Sequence, residues 1–536
     1  MADARSGTNQ FTVWHTIGLI ALFLFALYPG VFLGTDSFFY RDFGLFTYPA
    51  ACYSHQNFWH GQVPLWNPLN NCGVPFLAQW NTSVCYPPSL VYLLLPLPWS
   101  LNLFLIGHLV LAGAGMYLLA YRWTQNRAAA SIAGLVFALN GLTFNCLLWT
   151  SNLAALSWQP FVVLWAEQAW QRGGRRLVPA VLAGAMQMLA GAPEIIVFTW
   201  VILGALWLGQ TWRREISFGL SLRRFLTVVV LIAALSAIQL LPFFDLLKHS
   251  QRDSSYDIAN TWPMPVWGWA NFVVPMFRCA RTALGTFFQD GQSWTSSYYL
   301  GMGALAFAAM AVWRFWRRPR ICGLVVATLV GLVLALGNNG YVYTWLKQIL
   351  PWIGFARYPI KFVALPIFTL PLLAAFGFTG FESLTTDNPK QGKRALALVT
   401  ILLLLAIAVI LTAARWQTDP QTPWQPAWAS GAMRVLFLIA IVGCLLLWFR
   451  LPATRLRAVV GLGLLALIGF DLVTAGANIN PVVTTKAFGP LELNMSARPE
   501  PFKSRAMVSP QVAAYIDSAG TSNALYYYVS LRGTLF

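Results

Sequence analysis

Residues 86–98, YPPSLVYLLLPLP, decide how the rest of the chain is threaded. The stretch is apolar enough to be taken for a membrane span, yet it is short and carries four prolines. A helix needs about 20 mainly apolar residues to cross a bilayer core, and backbone broken by proline is poorly tolerated against lipid. The segment therefore reads as an interfacial or re-entrant piece. Working outward, windows of spanning length fall near 12–33, 100–121, 128–149, 152–170, 177–192, 194–212 and 225–246. Further ones fall near 298–313, 321–337, 361–381, 395–414, 433–449 and 456–476, which makes thirteen. With the N-terminus inside, every inside loop is basic, from Arg5 and the Arg122/Arg127 pair through Arg213, Arg214, Arg223 and Arg224 to Arg450, Arg455 and Arg457. Cytoplasmic loops collect Lys and Arg in this way. A crossing at 86–98 would reverse every later loop and break the agreement.

Composition agrees with this threading. Of 536 residues, 58% are hydrophobic and only 10% charged, against roughly 25% charged in a soluble domain. Mean hydropathy is +0.60. These values exclude a disordered chain, a coiled coil and a disulfide-rich secreted module. The net charge of +18 would suggest nucleic acid in a soluble protein, but here it follows from topology. Span one is long and no small-residue cleavage site follows it, so it reads as an anchor that stays. None of the seven cysteines forms a C-x-x-C pair, which argues against zinc. Cys52, Cys72, Cys85 and Cys279 are expected outside, where one disulfide is plausible.

The expected architecture is an all-α polytopic membrane protein, with a transmembrane domain over 1–476 and an outside C-terminal segment over 477–536. The outside carries the length, in 34–99, 247–297 and the tail, and loops beyond about 12–15 residues are usually functional or disordered. These are rich in Trp, Tyr, Phe, Pro and Asn, so the functional reading is the stronger one. Residues 43–60 (FGLFTYPAACYSHQNFWH) read as a juxtamembrane helix interrupted at Pro49. The tail alternates at 524–530 and stops at Phe536, as the opening of a larger, truncated outside domain would.

Charge at membrane depth costs about 2.5–3.5 kcal/mol on insertion scales and usually serves a site. At the outer boundary the acids are Asp36, Asp42, Glu194, Asp245 and Asp471, and the bases are Arg41, Lys248, Arg252, Arg357 and Lys361. They come from separate regions and suit one outward-facing cavity; on the inner half only Glu167 stands out. Each also has a plainer reading. Asp36 or Asp42 would cap a helix, Glu194 would be the polar tip of a turn marked by Gly191 and Pro193, and the basic residues would snorkel to the interface. In the functional reading Arg357, Lys361, Arg252 and Lys248 hold phosphate. The 25 tryptophans read as interface belt and packing. No phosphate-binding Gly-rich loop occurs, so ATP-driven transport has no support.

The stretch DSFFYRDFGLFTYP, followed by WHGQVPLWNPLNNCGVPFLAQWNTSVCYPPSLVYLLLP, resembles the first outside loop of YfhO-type bacterial membrane proteins, which belong with the GT-C glycosyltransferases. The likeness continues through NGLTFNCLLWTSNLAALSWQPFVVLWAE, LAGAPEIIVFTW, GFARYPIKFVALP and FDLVTAGANINP, over most of residues 30–485. The resemblance implies a GT-C-like fold with juxtamembrane helices in the first outside loop. It implies an enzyme of the bacterial cytoplasmic membrane that takes a sugar from a polyprenyl-phosphate carrier. The acceptor would be a glycan, lipid or polymer of the cell envelope, met on the extracytoplasmic face. The catalytic acid of such enzymes lies just after span one, where this chain has Asp36 and Asp42. Either would act as general base. Arg357, Lys361 and Arg252, or a divalent cation such as Mg or Mn, would stabilise the phosphate leaving group. Glu194 and Asp471 would orient sugar or acceptor. Two rivals stay open: a transporter or flippase for a lipid-linked sugar, and a non-catalytic envelope scaffold.

Overall fold

Apolar runs separated by short Arg-bearing turns leave the backbone one way to satisfy its hydrogen bonds in lipid, which is within helices. The computed structural model describes residues 11–488 apart from 71–72, 251–261, 283–284, 351–352, 355, 417–418, 453–454 and 476–478. Among the described residues, eight helices are long and apolar enough to cross a membrane. They are Trp99–Thr124, Arg127–Leu148, Pro193–Trp212, Phe218–Leu235, Pro359–Asp387, Pro389–Trp416, Trp424–Arg450 and Arg455–Ala475. The other expected windows are filled by shorter or more polar helices, among them Val13–Leu27, Thr150–Arg172, Leu177–Ala190, Met302–Phe315 and Pro319–Ala335. The chain is an all-α polytopic membrane protein. Residues 86–98 hold only a short helix, Leu90–Leu94, which is too short to cross.

Small side chains decide which helix lies in the middle. Arg127–Leu139 is RAAASIAGLVFAL, and nearly every residue in it is buried. A Cβ on Gly134 would come within 2.7 Å of the Gly113 carbonyl oxygen, so the two backbones nearly touch. Helix Ala364–Asp387 is also mostly buried. Phe218–Leu235 and Pro389–Trp416 sit at the periphery with mostly exposed apolar side chains.

The bundle has a basic end and a loop-rich end. At the basic end Glu167 is buried and accepts from Arg320 at 2.5 Å, Gln210 at 2.6 Å and Trp123 at 2.8 Å. A second acid there, Glu382, accepts from Asn126 at 2.7 Å and pairs with Arg457 at 3.4 Å. The expectation of Glu167 as the one notable inner acid is therefore corrected.

At the loop-rich end strand β1 (Asp36–Phe38) follows the first helices. A π-helical turn (Phe43–Thr47) then runs directly into helix Tyr48–Trp59. The expected interruption at Pro49 does not occur. Pro49 stands directly behind the π-helical turn, whose wider bonding, with the Tyr48 amide donating to the Phe43 carbonyl, keeps the chain helical up to the proline. Strands β2 (Cys279–Arg281) and β3 (Phe287–Gln289) form a hairpin in the second long loop. Strand β4 (Val482–Thr484) pairs antiparallel with β1, Asp36 opposite Thr484. The start of the C-terminal segment thus docks on the first loop, helped by Asn480 donating to the Phe144 carbonyl at 2.7 Å. No two described cysteines are joined, and Cys72 lies outside the described residues. The expectation at 524–530 also falls outside them.

Candidate functional site

Three strips of backbone meet at the loop-rich end. The first is the connection from β1 to the π-helical turn, residues 39–42. Tyr40 is buried with its hydroxyl 3.1 Å from Thr286 Oγ1. Arg41 adopts φ +51°, a region that side chains other than glycine rarely enter. Its guanidinium donates to the Ser293 carbonyl at 2.6 Å and lies over the Phe288 ring, 5.2 Å from the centroid. These contacts tie the first loop to the second and turn Asp42 inward. Asp42 does not cap the helix that follows it. Its Oδ2 accepts from the Trp149 indole.

The second strip is residues 292–300, which enter the bundle without regular structure and are nearly all buried. A segment without helix must find its partners one at a time. Gln292 Oε1 accepts from the Trp294 and Thr295 amides, Asn145 Oδ1 from Ser296, and the Tyr299 carbonyl from Gly141. The strip carries Trp294, whose ring stacks on Trp149 at 5.3 Å and 12°. In the neighbouring hairpin, burial pushes the Cys279 thiol up to about 12.

The third strip is the turn before helix Pro193–Trp212. Gly191 has φ +86°, and a Cβ there would collide with the Trp80 carbonyl. Trp80 Nε1 donates to the Met188 carbonyl at 2.6 Å and Ser83 to Ala190 at 3.1 Å, so the first loop clasps this turn. Pro193 opens the helix and Glu194 lies in its first turn, where the helix dipole favours a carboxylate. Glu194 pairs with Lys361 at 2.5 Å, with side chains 11% and 14% exposed. Lys361 stands on a 3-10 turn (Pro359–Val363) leading into helix Ala364–Asp387. Its ammonium lies 5.9 Å from the Trp294 ring centroid and 5.3 Å from that of Tyr358. Arg357 is exposed and sits over the same Tyr358 ring at 5.2 Å.

The group therefore runs from Asp42 through Trp149 and Trp294 to Lys361 and Glu194, with Arg357 on the solvent side of Tyr358. Other expected members lie elsewhere. Asp36 is on β1 with its carboxylate folded over Gly30, apart from the group. Lys248 is exposed in the last turn of helix Ala237–His249. Arg252 lies outside the described residues.

Asp471 is fully buried and its acceptors are taken. It pairs with Arg434 at 2.5 Å and accepts from Tyr299 at 2.9 Å and from the Met302 amide at 2.6 Å. That set leaves little room for a sugar hydroxyl. Arg434, buried in mid-helix, was not among the residues read as outer bases. Trp149 and Trp294 were likewise hidden in the count of belt tryptophans. Among the described residues no three His, Cys, Asp or Glu side chains converge as metal ligands.

Searches for known likenesses find no matching family model and no matching curated protein. Among solved structures the chain is similar to ArnT from Cupriavidus metallidurans in the apo state, at 15% identity. That match has a TM-score of 0.46 and covers 88% of this chain and 78% of that one. It is also similar to the same protein bound to undecaprenyl phosphate, at 13% identity and a TM-score of 0.43, over 86% of this chain and 77% of that one.

Proposed function

We propose that the chain is a GT-C-type membrane glycosyltransferase of the YfhO kind. It moves a sugar from a polyprenyl-phosphate carrier to a cell-envelope acceptor on the extracytoplasmic side of a bacterial cytoplasmic membrane. In this reading the N-terminus is cytoplasmic, residues 1–476 form the membrane domain, and 477–536 belong to the outer face. The observation that carries it is the run of contacts from one carboxylate, Asp42, through the Trp149–Trp294 stack to Lys361 and its partner Glu194 at the loop-rich end. Nucleophile activation and phosphate stabilisation call for those two kinds of group in one site.

The chemistry is a single displacement. The acceptor hydroxyl oxygen bonds to the anomeric carbon as the bond from that carbon to phosphate oxygen breaks. Asp42 takes the hydroxyl proton, and the Trp149 indole holds the carboxylate in place while it does so. The electron pair leaves on the carrier phosphate, which is acidic enough to need charge and no proton. Lys361 and Arg357, both against the Tyr358 ring, supply that charge. One displacement inverts the anomeric centre. Asp42 is favoured over Asp36 as base because the Asp36 carboxylate lies against Gly30, away from the Trp149–Trp294 stack. Asp471 is assigned to holding helices together through Arg434.

The test is sugar transfer by purified protein in nanodiscs, over a panel of polyprenyl-phosphate sugars and envelope acceptors. Asp42→Asn should lower the rate by about 100-fold or more, the range a general base supplies. Asp36→Asn should stay within a few-fold of wild type. Full activity in a folded Asp42→Asn protein would remove Asp42 from the reaction.

A further inference from the structure

We infer that Glu194 is the release group of the phosphate site, a fixed negative charge that keeps Lys361 from retaining the spent carrier. The inference rests on the reading above that Lys361 receives the carrier phosphate. Its starting point is geometric. A lysine meant only to grip phosphate would be left with its ammonium open, whereas Lys361 is held at 2.5 Å by a carboxylate with both side chains largely buried. The two sit on independent supports. Glu194 is fixed by the turn clasped against Trp80, and Lys361 by the 3-10 turn whose Ile360 amide donates to the Trp262 carbonyl at 3.4 Å. Neither support needs the ion pair to form its local structure.

Charge counting gives the pair a task. The donor is a phosphodiester and carries one negative charge. The spent carrier is a phosphate monoester, whose second ionisation near pH 6 brings it to almost two charges at neutral pH. A lone lysine in a half-buried site would therefore hold product more tightly than substrate, and turnover would stall on release. A carboxylate beside the lysine repels each unit of charge alike, so it weakens the dianion about twice as much, in free energy, as the monoanion. Glu194 thus evens the two affinities.

The experiment measures binding of two probes to the full-length protein in nanodiscs at pH 8. The probes are farnesyl phosphate, a monoester, and its monomethyl ester, a diester. Lys361→Gln should weaken both, and if it weakens neither, or if wild type binds neither, the phosphate reading fails and the release role with it. With that reading standing, Glu194→Gln should tighten the monoester about tenfold and the diester about threefold, while kcat for transfer falls and KM falls with it. Equal tightening of both probes, or weaker binding of either, would overturn the release role and leave Glu194 as a support for Lys361. If Glu194→Gln does not fold, Glu194→Asp decides the matter. It keeps the charge one methylene further from the ammonium, and the same preference for the monoester should appear at smaller size.

Discussion

Asp42 owes its position to residues that would not be picked for chemistry. Trp149 donates its indole N–H to the carboxylate and stacks its ring on Trp294. Trp149→Phe keeps an aromatic face for the stack and removes the donor. Hydrogen bonds to charged groups contribute about 1.5–3 kcal/mol, so kcat/KM should fall about 10- to 100-fold with the folded yield unchanged. An unchanged kcat/KM would mean that the indole does not hold the base. At this scale the sequence was half legible. Asp42, Glu194 and Lys361 stand out because charge is rare in an apolar chain; Glu194 and Lys361 pair directly, and Asp42 is linked to them through the Trp149–Trp294 stack. Their partners do not stand out, because Trp149 lies 107 positions from Asp42 and nothing local tells one tryptophan of 25 from another. Arg434 and Asp471 show the reverse case. A buried pair with every acceptor used is what remains when two rare charges satisfy each other.

Single elements are positioned by backbone demands more than by side-chain identity. Gly191 combines a left-handed φ with a close approach to the Trp80 carbonyl. Its replacement by alanine meets both obstacles at once, and the left-handed region alone costs about 1–2 kcal/mol. Gly191→Ala should lower the midpoint of heat-induced aggregation in detergent. Gly204→Ala, inside the helix that follows this turn, where a Cβ meets nothing within 4 Å, should match or exceed wild type. Equal midpoints for the two variants would show that the turn relaxes freely. The Gly-x-Pro spacing announced a break here, but not that the first loop closes over it. The helix at Tyr48–Trp59 shows how a correct cue was misread. Proline reads as a breaker, yet the π-helical turn ahead of it carries the helix through. Beyond Asp42 the first loop is also free of charged side chains, since no Asp, Glu, Lys or Arg occurs between Asp42 and Arg122. Aromatic rings and backbone polar groups must therefore shape that wall of the site.

For the whole molecule, alternation of charge was the most legible signal, because the rule it obeys acts on topology and ignores tertiary detail. Sidedness has a direct test. Cys322 is exposed in helix Pro319–Ala335, in the basic half of the bundle beside Arg320. A membrane-impermeant maleimide should label it in inverted vesicles and not in intact cells, with the signal lost in Cys322→Ser. Labelling from the opposite face would reverse the proposed orientation and put the Asp42 group in the cytoplasm. The pairing of β1 with β4 has a consequence in time. Thr35 and Thr485, hydrogen-bonded across it, lie 450 positions apart. At about 5–20 residues per second, the ribosome needs roughly 20 to 90 seconds to travel between them. Throughout that interval the strand holding Asp36 has been made while its partner has not. A newborn chain therefore carries an open sheet edge on its first loop until the segment around Thr485 has been made.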